Sequence, residues 1–147
     1  MQTIKKIAII LLVILMNECI FCKIMNGSIP SYTIFEDEIV KVFLDINPNS
    51  LGHTLIVPKK HVSDFTTIDD ETLLHINKIA KQISNTLYEK LKCDGISLIT
   101  NHGICQEVKH YHLHLIPRYK EDKDNISFEE GAMVEPTAVG LHAIHLA

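Results

Sequence analysis

Residues 110–116 alternate histidines with apolar residues, and this alternation leaves the segment few ways to fold. Successive side chains of a β-strand point to opposite faces, so a strand here would place His110, His112 and His114 on one face. The intervening apolar side chains would lie on the other face, where they can pack into a core. The sequence therefore predicts a strand that presents three imidazoles together, opposite its buried face.

Imidazoles presented in this way are suited to chemistry at phosphorus. The ordinary pKa of histidine lies near 6.5, so the neutral, nucleophilic ring is abundant near neutrality. Attack by such a ring splits one displacement into two steps through a covalent intermediate. Two alternatives stay open at this point: the histidines serve the structure alone, or they hold zinc and make a metal-activated hydrolase.

The surrounding sequence predicts one α+β domain. Apolar residues at helical spacing between Leu73 and Leu91 indicate one long helix, with capping residues at 67–70 and Gly95 as its left-handed cap. Five strands are predicted over residues 32–35, 39–44, 54–57, 96–100 and 111–116. We expect a mostly antiparallel sheet of about five strands with one long helix and a short N-terminal helix.

The length of 147 residues suits a single domain, and the net charge of −4 argues against a general nucleic-acid binder. Residues 1–15 form a hydrophobic leader, in which Lys5 and Lys6 precede an apolar run. This run is shorter than the roughly 20 residues that span a bilayer, so a membrane partner is not expected. The leader is a translated segment upstream of a true start at Met16, a signal or anchor, or a buried element. Residues 16–120 form the predicted domain, and residues 121–147 a tail of uncertain structure.

Four separated segments of the chain resemble one known family. The run 110–116 resembles the histidine-triad (HIT) signature, and residues 19–24, 43–46 and 52–61 resemble further segments of bacterial Hit/Hint-like proteins in the expected order. The resemblance implies hydrolysis or transfer at the α-phosphate of a purine nucleotide conjugate, through a nucleotidyl-histidine intermediate. A nucleoside phosphoramidate or a dinucleoside polyphosphate would be the substrate. A nucleotide-binding module with little turnover and a zinc-dependent hydrolase stay open as alternatives.

The resemblance also implies roles for individual residues and a homodimeric assembly. His112 would be the nucleophile, His114 and His53 would contact the phosphate, and Asp45 would hold the ribose hydroxyls. The alternative role of Asp45 is to cap a turn, since an Asn-Pro pair follows shortly after it. The remaining substrate contacts implied by the resemblance are Ile20, Phe21, Ile24, Phe43, Ile46, Asn101 and Gln106.

One residue departs from the pattern of the family. Many relatives have a serine or threonine shortly before the triad, whereas this chain has Glu107. A carboxylate at this position would repel a phosphate unless a cation such as Lys109 neutralised it. The leaving group of the reaction is therefore left open.

The pair Cys19-x-x-Cys22 is ambiguous between zinc and redox chemistry, and no thioredoxin-like βαβ pattern surrounds it. The resemblance adds His61 and His110 as ligands, which would complete a closed, four-coordinate structural zinc site. The alternative is a pair of reduced thiols without metal. Thiolate ligands and two further unpaired cysteines favour a reducing cytoplasm as the location.

Overall fold

The computed structural model describes residues 2–122 of the chain. Its helices are α1 (Gln2–Glu18), α2 (Ile20–Met25) and α3 (Asp70–Leu91), with a short 3-10 turn at Gly103–Cys105. Its strands are β1 (Thr33–Glu36), β2 (Val40–Leu44), β3 (Thr54–Pro58), β4 (Gly95–Ile99) and β5 (Leu113–Arg118).

The five strands form one sheet in the order β1-β2-β3-β5-β4, and every neighbouring pair is antiparallel. Strands β3 and β5 lie next to each other in the sheet, and Leu55 stands opposite His114. This register brings the residues that flank β3 next to the histidine-rich segment. The predicted fold class is confirmed: an antiparallel five-stranded sheet with one long helix and a short N-terminal helix.

The long helix begins and ends where the sequence predicts, but its C-terminal cap differs from the prediction. Asp69 is the N-cap, and its carboxylate accepts a hydrogen bond from the backbone N–H of Thr72 at 2.8 Å. At the other end Lys92 takes the left-handed conformation, with φ of 53°. The prediction that Gly95 caps the helix is wrong, because Gly95 already begins β4 and pairs with Arg118. The chain must turn within three residues to reach the sheet, so the left-handed residue falls before the glycine.

The sheet has apolar side chains on both faces. On one face α3 packs on a cluster that includes Val42, Ile56, Leu113 and Leu115. On the other face α2 covers a smaller cluster, whose buried members are Phe21, Ile24, Phe43, Leu55 and Val57. Alternation along β3 explains the division, since Ile56 points to the α3 side and its two neighbours to the α2 side. The histidines are thus presented next to α2.

Helix α1 carries the hydrophobic leader, and the domain boundary predicted after residue 15 falls inside this helix. Its side chains from Thr3 to Ile14 are exposed, so they do not form a buried element of this chain. Within residues 2–122, no helix is both long enough and apolar enough to cross a membrane. The predicted tail lies outside the described residues from position 123 onward.

Candidate functional site

A cavity of about 500 Å³ opens on the face of the sheet that carries α2. This volume is in the range of sites that bind small molecules. Its walls come from α2, from the loop between β2 and β3, and from the segment between β4 and β5. Eight of the predicted site residues line it, namely Ile20, Phe21, Asp45, Ile46, His53, Asn101, His112 and His114.

His112 lies directly before β5, and the side chains on either side of it keep the predicted alternation. Tyr111 and Leu113 are buried on the α3 side, while His112 turns toward the cavity. The Nδ1–H of His112 donates to the carbonyl oxygen of His110 at 2.7 Å. A carbonyl only accepts, so the proton of the neutral ring sits on Nδ1 and Nε2 keeps its lone pair.

The pKa of His112 is lowered mainly by burial, which disfavours the charged imidazolium. The hydrogen bond to the carbonyl of His110 and the charge of Asp45 act in the opposite direction and raise the pKa in part. The balance keeps the ring neutral near pH 7. A neutral imidazole with a free Nε2 lone pair has the form that nucleophilic attack requires.

His53 and His114 form a second fixed pair. The backbone N–H of Asn49 donates to His53 Nδ1 at 3.1 Å, so the proton of the neutral His53 ring sits on Nε2. His53 Nε2 lies 2.9 Å from His114 Nδ1 and donates to it. The remaining proton of His114 is then on its Nε2. Burial, together with the neighbouring charges of His112 and His53, lowers the pKa of His114 to about 4, so it offers a neutral N–H donor.

Asp45 serves the fold and the cavity with different oxygens. Its Oδ1 accepts a hydrogen bond from the backbone N–H of Asn47 at 2.9 Å, which is the turn-capping role expected of an aspartate before Asn-Pro. Its Oδ2 lies 3.7 Å from His53 Nε2, and the residue lines the cavity. The two interpretations of Asp45 are therefore compatible with each other.

Phe21 joins the apolar wall of the cavity to the histidines. Its ring packs edge-on against His112, with centroids 5.0 Å apart, and against Phe43 at 5.9 Å. Ile20 and Ile46 are exposed at the cavity and contribute apolar surface. Ile24 and Phe43 are buried in the cluster beneath α2 and do not line the cavity. Ile24 lies on the side of the short helix that faces the sheet, and Phe43 lies on β2 beneath that helix.

Gln106 also lies off the cavity, contrary to its predicted place among the substrate contacts. The residue is 3% exposed, and its Nε2 donates to the carbonyl oxygens of Ser63 and Val108 at 2.7 and 2.9 Å. Its amide thus holds the segment before the triad against the loop that follows β3. Gln106 thus supports the segment whose neighbouring residues Cys105, Glu107 and Val108 line the cavity.

Several lining residues were missed from the sequence. They are Asn47, Asn49, Leu55, Ile99, Cys105, Val108 and Ile116, in addition to the departing residue Glu107. Two signals were present: Leu55 stands two residues after His53, which is the spacing of one strand face, and the polar Asn-Pro-Asn loop begins two residues after Asp45. The contribution of Ile99 depends on the pairing of β4 with β5, which the sequence does not state.

Lys109 does not neutralise Glu107. Its Nζ donates to the carbonyl oxygens of Gly103 and Gln106 at 2.7 and 2.8 Å. Among residues 2–122 the ion pairs of the chain include none with Glu107. The carboxylate at the cavity wall is exposed.

A second group of side chains beside the cavity has the composition of a metal site. The ligand atoms of Cys19, Cys22, His61 and His110 all lie within 4.8 Å of one another. Sulfur-to-Nδ1 distances are 3.4 Å for Cys19 and His110 and 3.2 Å for Cys22 and His61. Tetrahedral bonds of about 2.3 Å to sulfur and 2.05 Å to nitrogen would place these atoms about 3.5 Å apart. The four side chains therefore fit one tetrahedral ion.

The tautomer of His110 agrees with this arrangement. Its Nε2–H donates to the carbonyl oxygen of Pro58 at 2.8 Å, which leaves the Nδ1 lone pair directed at the two thiols. Asp45, His53 and His114 form a separate group of possible ligands. In the described part of the chain, His112 belongs to neither group. The three alternating histidines thus do not converge on one metal ion, which argues against a zinc-dependent hydrolase built on the triad.

Comparison with known proteins places this arrangement in a family. The family model described as "HIT domain" matches residues 26–121. An uncharacterized HIT-like protein of Methanocaldococcus jannaschii is 47% identical over 114 residues, which cover 76% of this chain and 88% of the relative. Adenosine 5′-monophosphoramidase of Saccharomyces cerevisiae is 41% identical over 105 residues, covering 70% of this chain and 64% of that enzyme.

A solved structure shares the fold as well as the sequence. A Zn-bound histidine triad family protein from Mycobacterium smegmatis superposes with a TM-score of 0.71 at 34% identity. The match covers 88% of this chain and 99% of that protein.

Proposed function

Because the chain belongs to the HIT-domain family, we propose that it hydrolyses nucleotide conjugates at the α-phosphorus. The observation that carries the proposal is the state of His112: its Nδ1–H is bound to a main-chain carbonyl, and its ring faces the cavity. The substrate would be a nucleoside phosphoramidate or a dinucleoside polyphosphate. The yeast relative named as an adenosine 5′-monophosphoramidase supports the first of these.

The reaction proceeds in two displacements. The Nε2 lone pair of His112 attacks the α-phosphorus, and an Nε2–P bond forms as the bond from phosphorus to the leaving group breaks. A leaving amine departs with the bonding electron pair and takes up a proton from solvent. A water oxygen then attacks phosphorus and gives up a proton to solvent. The electron pair of the Nε2–P bond returns to His112, and a nucleoside monophosphate is released. The net reaction consumes one water for each conjugate cleaved.

The other cavity residues bind and orient the nucleotide. Asp45 Oδ2 accepts hydrogen bonds from the ribose hydroxyls, as a two-oxygen acceptor can do while Oδ1 caps its turn. Ile20, Phe21 and Ile46 offer apolar surface to the base. The Nε2–H of His114 donates to an oxygen of the phosphate and stabilises the charge that develops there.

The proposal is tested with adenosine 5′-phosphoramidate and diadenosine tetraphosphate as substrates for the wild type and His112→Ala. We expect turnover of at least one substrate by the wild type and a fall of about a thousandfold or more in the variant, because the residue forms the covalent intermediate. His75→Gln is the matched control, since this histidine lies on α3 on the opposite face of the sheet. Turnover that survives in His112→Ala contradicts the nucleophile assignment.

A nucleotide-binding module with little turnover is the second candidate, and the exposed carboxylate of Glu107 at the cavity wall favours it. Calorimetric titration with AMP separates the two functions. Binding without turnover of either conjugate supports the module, whereas binding with turnover supports the enzyme.

We further propose that Cys19, Cys22, His61 and His110 hold a structural zinc ion. Four protein ligands close the coordination sphere, so the ion would supply cross-linking between α2 and the triad segment, with no open position for water. Metal analysis should find about one zinc per chain in the wild type and a loss of it in Cys22→Ser. Cys93→Ser is the control, because Cys93 is a buried free thiol outside this group.

The remaining proposals concern the setting of the enzyme. A reducing cytoplasm suits thiolate ligands and the four free cysteines. We propose a homodimer and no nucleic-acid partner, in line with the net charge of −4. Sedimentation velocity at two concentrations would test the dimer.

A further inference from the structure

In the part of the chain that the structure describes, the aspartate and glutamate side chains that line the cavity are not balanced by lysine or arginine side chains. Two carboxylates line it, from Asp45 and Glu107, and its lining within residues 2–122 includes no lysine or arginine. An additional negative charge on a bound substrate therefore meets no lysine or arginine side chain at the cavity wall that these residues form.

Glu107 is held at this wall by its neighbours. On its N-terminal side, the buried amide of Gln106 is bonded to the carbonyls of Ser63 and Val108. On its C-terminal side, Val108 packs against the cluster beneath α2. Lys109 is occupied with two main-chain carbonyls. The carboxylate is thus placed by a fixed backbone, and the nearest lysine in sequence does not pair with it.

The position of Glu107 in the cavity places it near the leaving group of the proposed substrate and away from the nucleoside. In the proposed function the nucleoside lies between α2 and the loop after β2, against Ile20, Phe21 and Asp45. The segment between β4 and β5 supplies the remaining wall. With the nucleoside in that place, the group that leaves the α-phosphorus would extend toward this wall, which includes Glu107.

We propose that Glu107 selects leaving groups that carry a positive charge, so that the substrates are nucleoside phosphoramidates of amines bearing a second, protonated amino group. This inference rests on the proposed function and narrows it. The P–N bond breaks as in the two displacements above, and the distal ammonium of the leaving amine stays protonated beside the carboxylate throughout. A polyphosphate leaving group is disfavoured, because its charge repels that of Glu107.

The experiment compares two adenosine 5′-phosphoramidates of equal length, one of 1,3-diaminopropane and one of butylamine. They differ in a terminal ammonium against a methyl group. A unit-charge pair at contact distance in high dielectric corresponds to about a fivefold preference in kcat/KM for the cationic substrate. We expect this preference in the wild type and a ratio near one in Glu107→Gln. Glu38→Gln, which removes an exposed charge outside the cavity lining, should keep the wild-type ratio.

A second measurement needs no variant. The wild-type preference should shrink as salt is raised from about 0.02 to 0.5 M, because an exposed pair is screened. A wild-type ratio near one, or a preference that persists unchanged in Glu107→Gln, overturns the inference about Glu107 and leaves the enzyme intact. Turnover of diadenosine tetraphosphate without turnover of either phosphoramidate also overturns the inference about Glu107. No turnover of any of the three substrates defeats the proposed function itself, so the two failures are distinguishable.

Discussion

Gly52 directly precedes His53, and a single added methyl group there should disturb the fold close to the site. The residue has φ of +87°, which L side chains rarely adopt. A Cβ built on it would overlap the Cδ1 atom of Leu91 and lie 3.3 Å from the Cγ atom of Pro117. Gly52→Ala therefore combines backbone strain with a steric clash between the loop before β3 and the end of α3.

The two contributions can be estimated separately. A left-handed backbone costs an alanine about 1–2 kcal/mol, and overpacking of a filled interior costs about 1–3 kcal/mol more. Gly27 provides the matched control, because its φ of +81° is similar and no atom lies within 4 Å of a Cβ built there. Gly27→Ala should lower the free energy of unfolding only by the cost of the left-handed backbone. We expect Gly52→Ala to lower the free energy of unfolding by about 2–5 kcal/mol in total.

Urea unfolding at equal protein and zinc concentration measures both variants. A double-mutant cycle with Leu91→Ala isolates the clash, since removal of the Leu91 side chain should make Gly52→Ala nearly as mild as Gly27→Ala. The reasoning is refuted if Gly52→Ala is no more destabilising than Gly27→Ala, or if the cycle shows no coupling between positions 52 and 91.

Three further predictions concern the cavity. Phe21→Ala should lower the free energy of unfolding by about 3–5 kcal/mol in urea titrations, because it empties a buried site against His112; a loss below about 1 kcal/mol would contradict the packing. Asp45→Asn should raise KM for a ribonucleotide substrate more than for its 2′-deoxy analogue in steady-state assays, and equal effects would argue against ribose contact. The pKa of His114 is about 4 when folded and 6.5 ordinarily, so the unfolded chain protonates first as pH falls. The free energy of unfolding should therefore fall as the pH is lowered from 6.5 to 4. In urea titrations across that range, it should fall less for His114→Gln than for the wild type.

The elements that follow from local pattern were predictable from the sequence. Alternation of Tyr111 and Leu113 with the histidines gave the correct faces, because a period of two requires no knowledge of the rest of the chain. The N-cap region of α3 followed from the polar residues before its apolar spacing. Its C-terminal cap did not, since the left-handed Lys92 is imposed by the short connection to β4, and no local signal marks a lysine for that conformation.

The walls of the cavity were harder to predict, because they depend on contacts distant in sequence. Gln106 was expected to touch the substrate, yet its hydrogen bonds to the carbonyls of Ser63 and Val108 hold its side chain off the cavity. Phe43 follows an apolar pattern that fits both a base pocket and a core, and the position of α2 decides between them. The same holds for Lys109, whose carbonyl partners become visible only with the turn at Gly103–Cys105.

The main-chain partners of the histidines have a consequence for how this site can change over evolutionary time. The carbonyl of His110 sets the tautomer of His112, and the amide of Asn49 sets that of His53. A point mutation replaces a side chain and leaves a main-chain carbonyl in place, and among single substitutions only a proline at position 49 would remove the amide donor. The positions of the protons on these rings therefore depend on the path of the backbone and stay the same as long as that path is kept. Substitutions around the cavity can alter which conjugates are accepted while the state of the attacking nitrogen is retained.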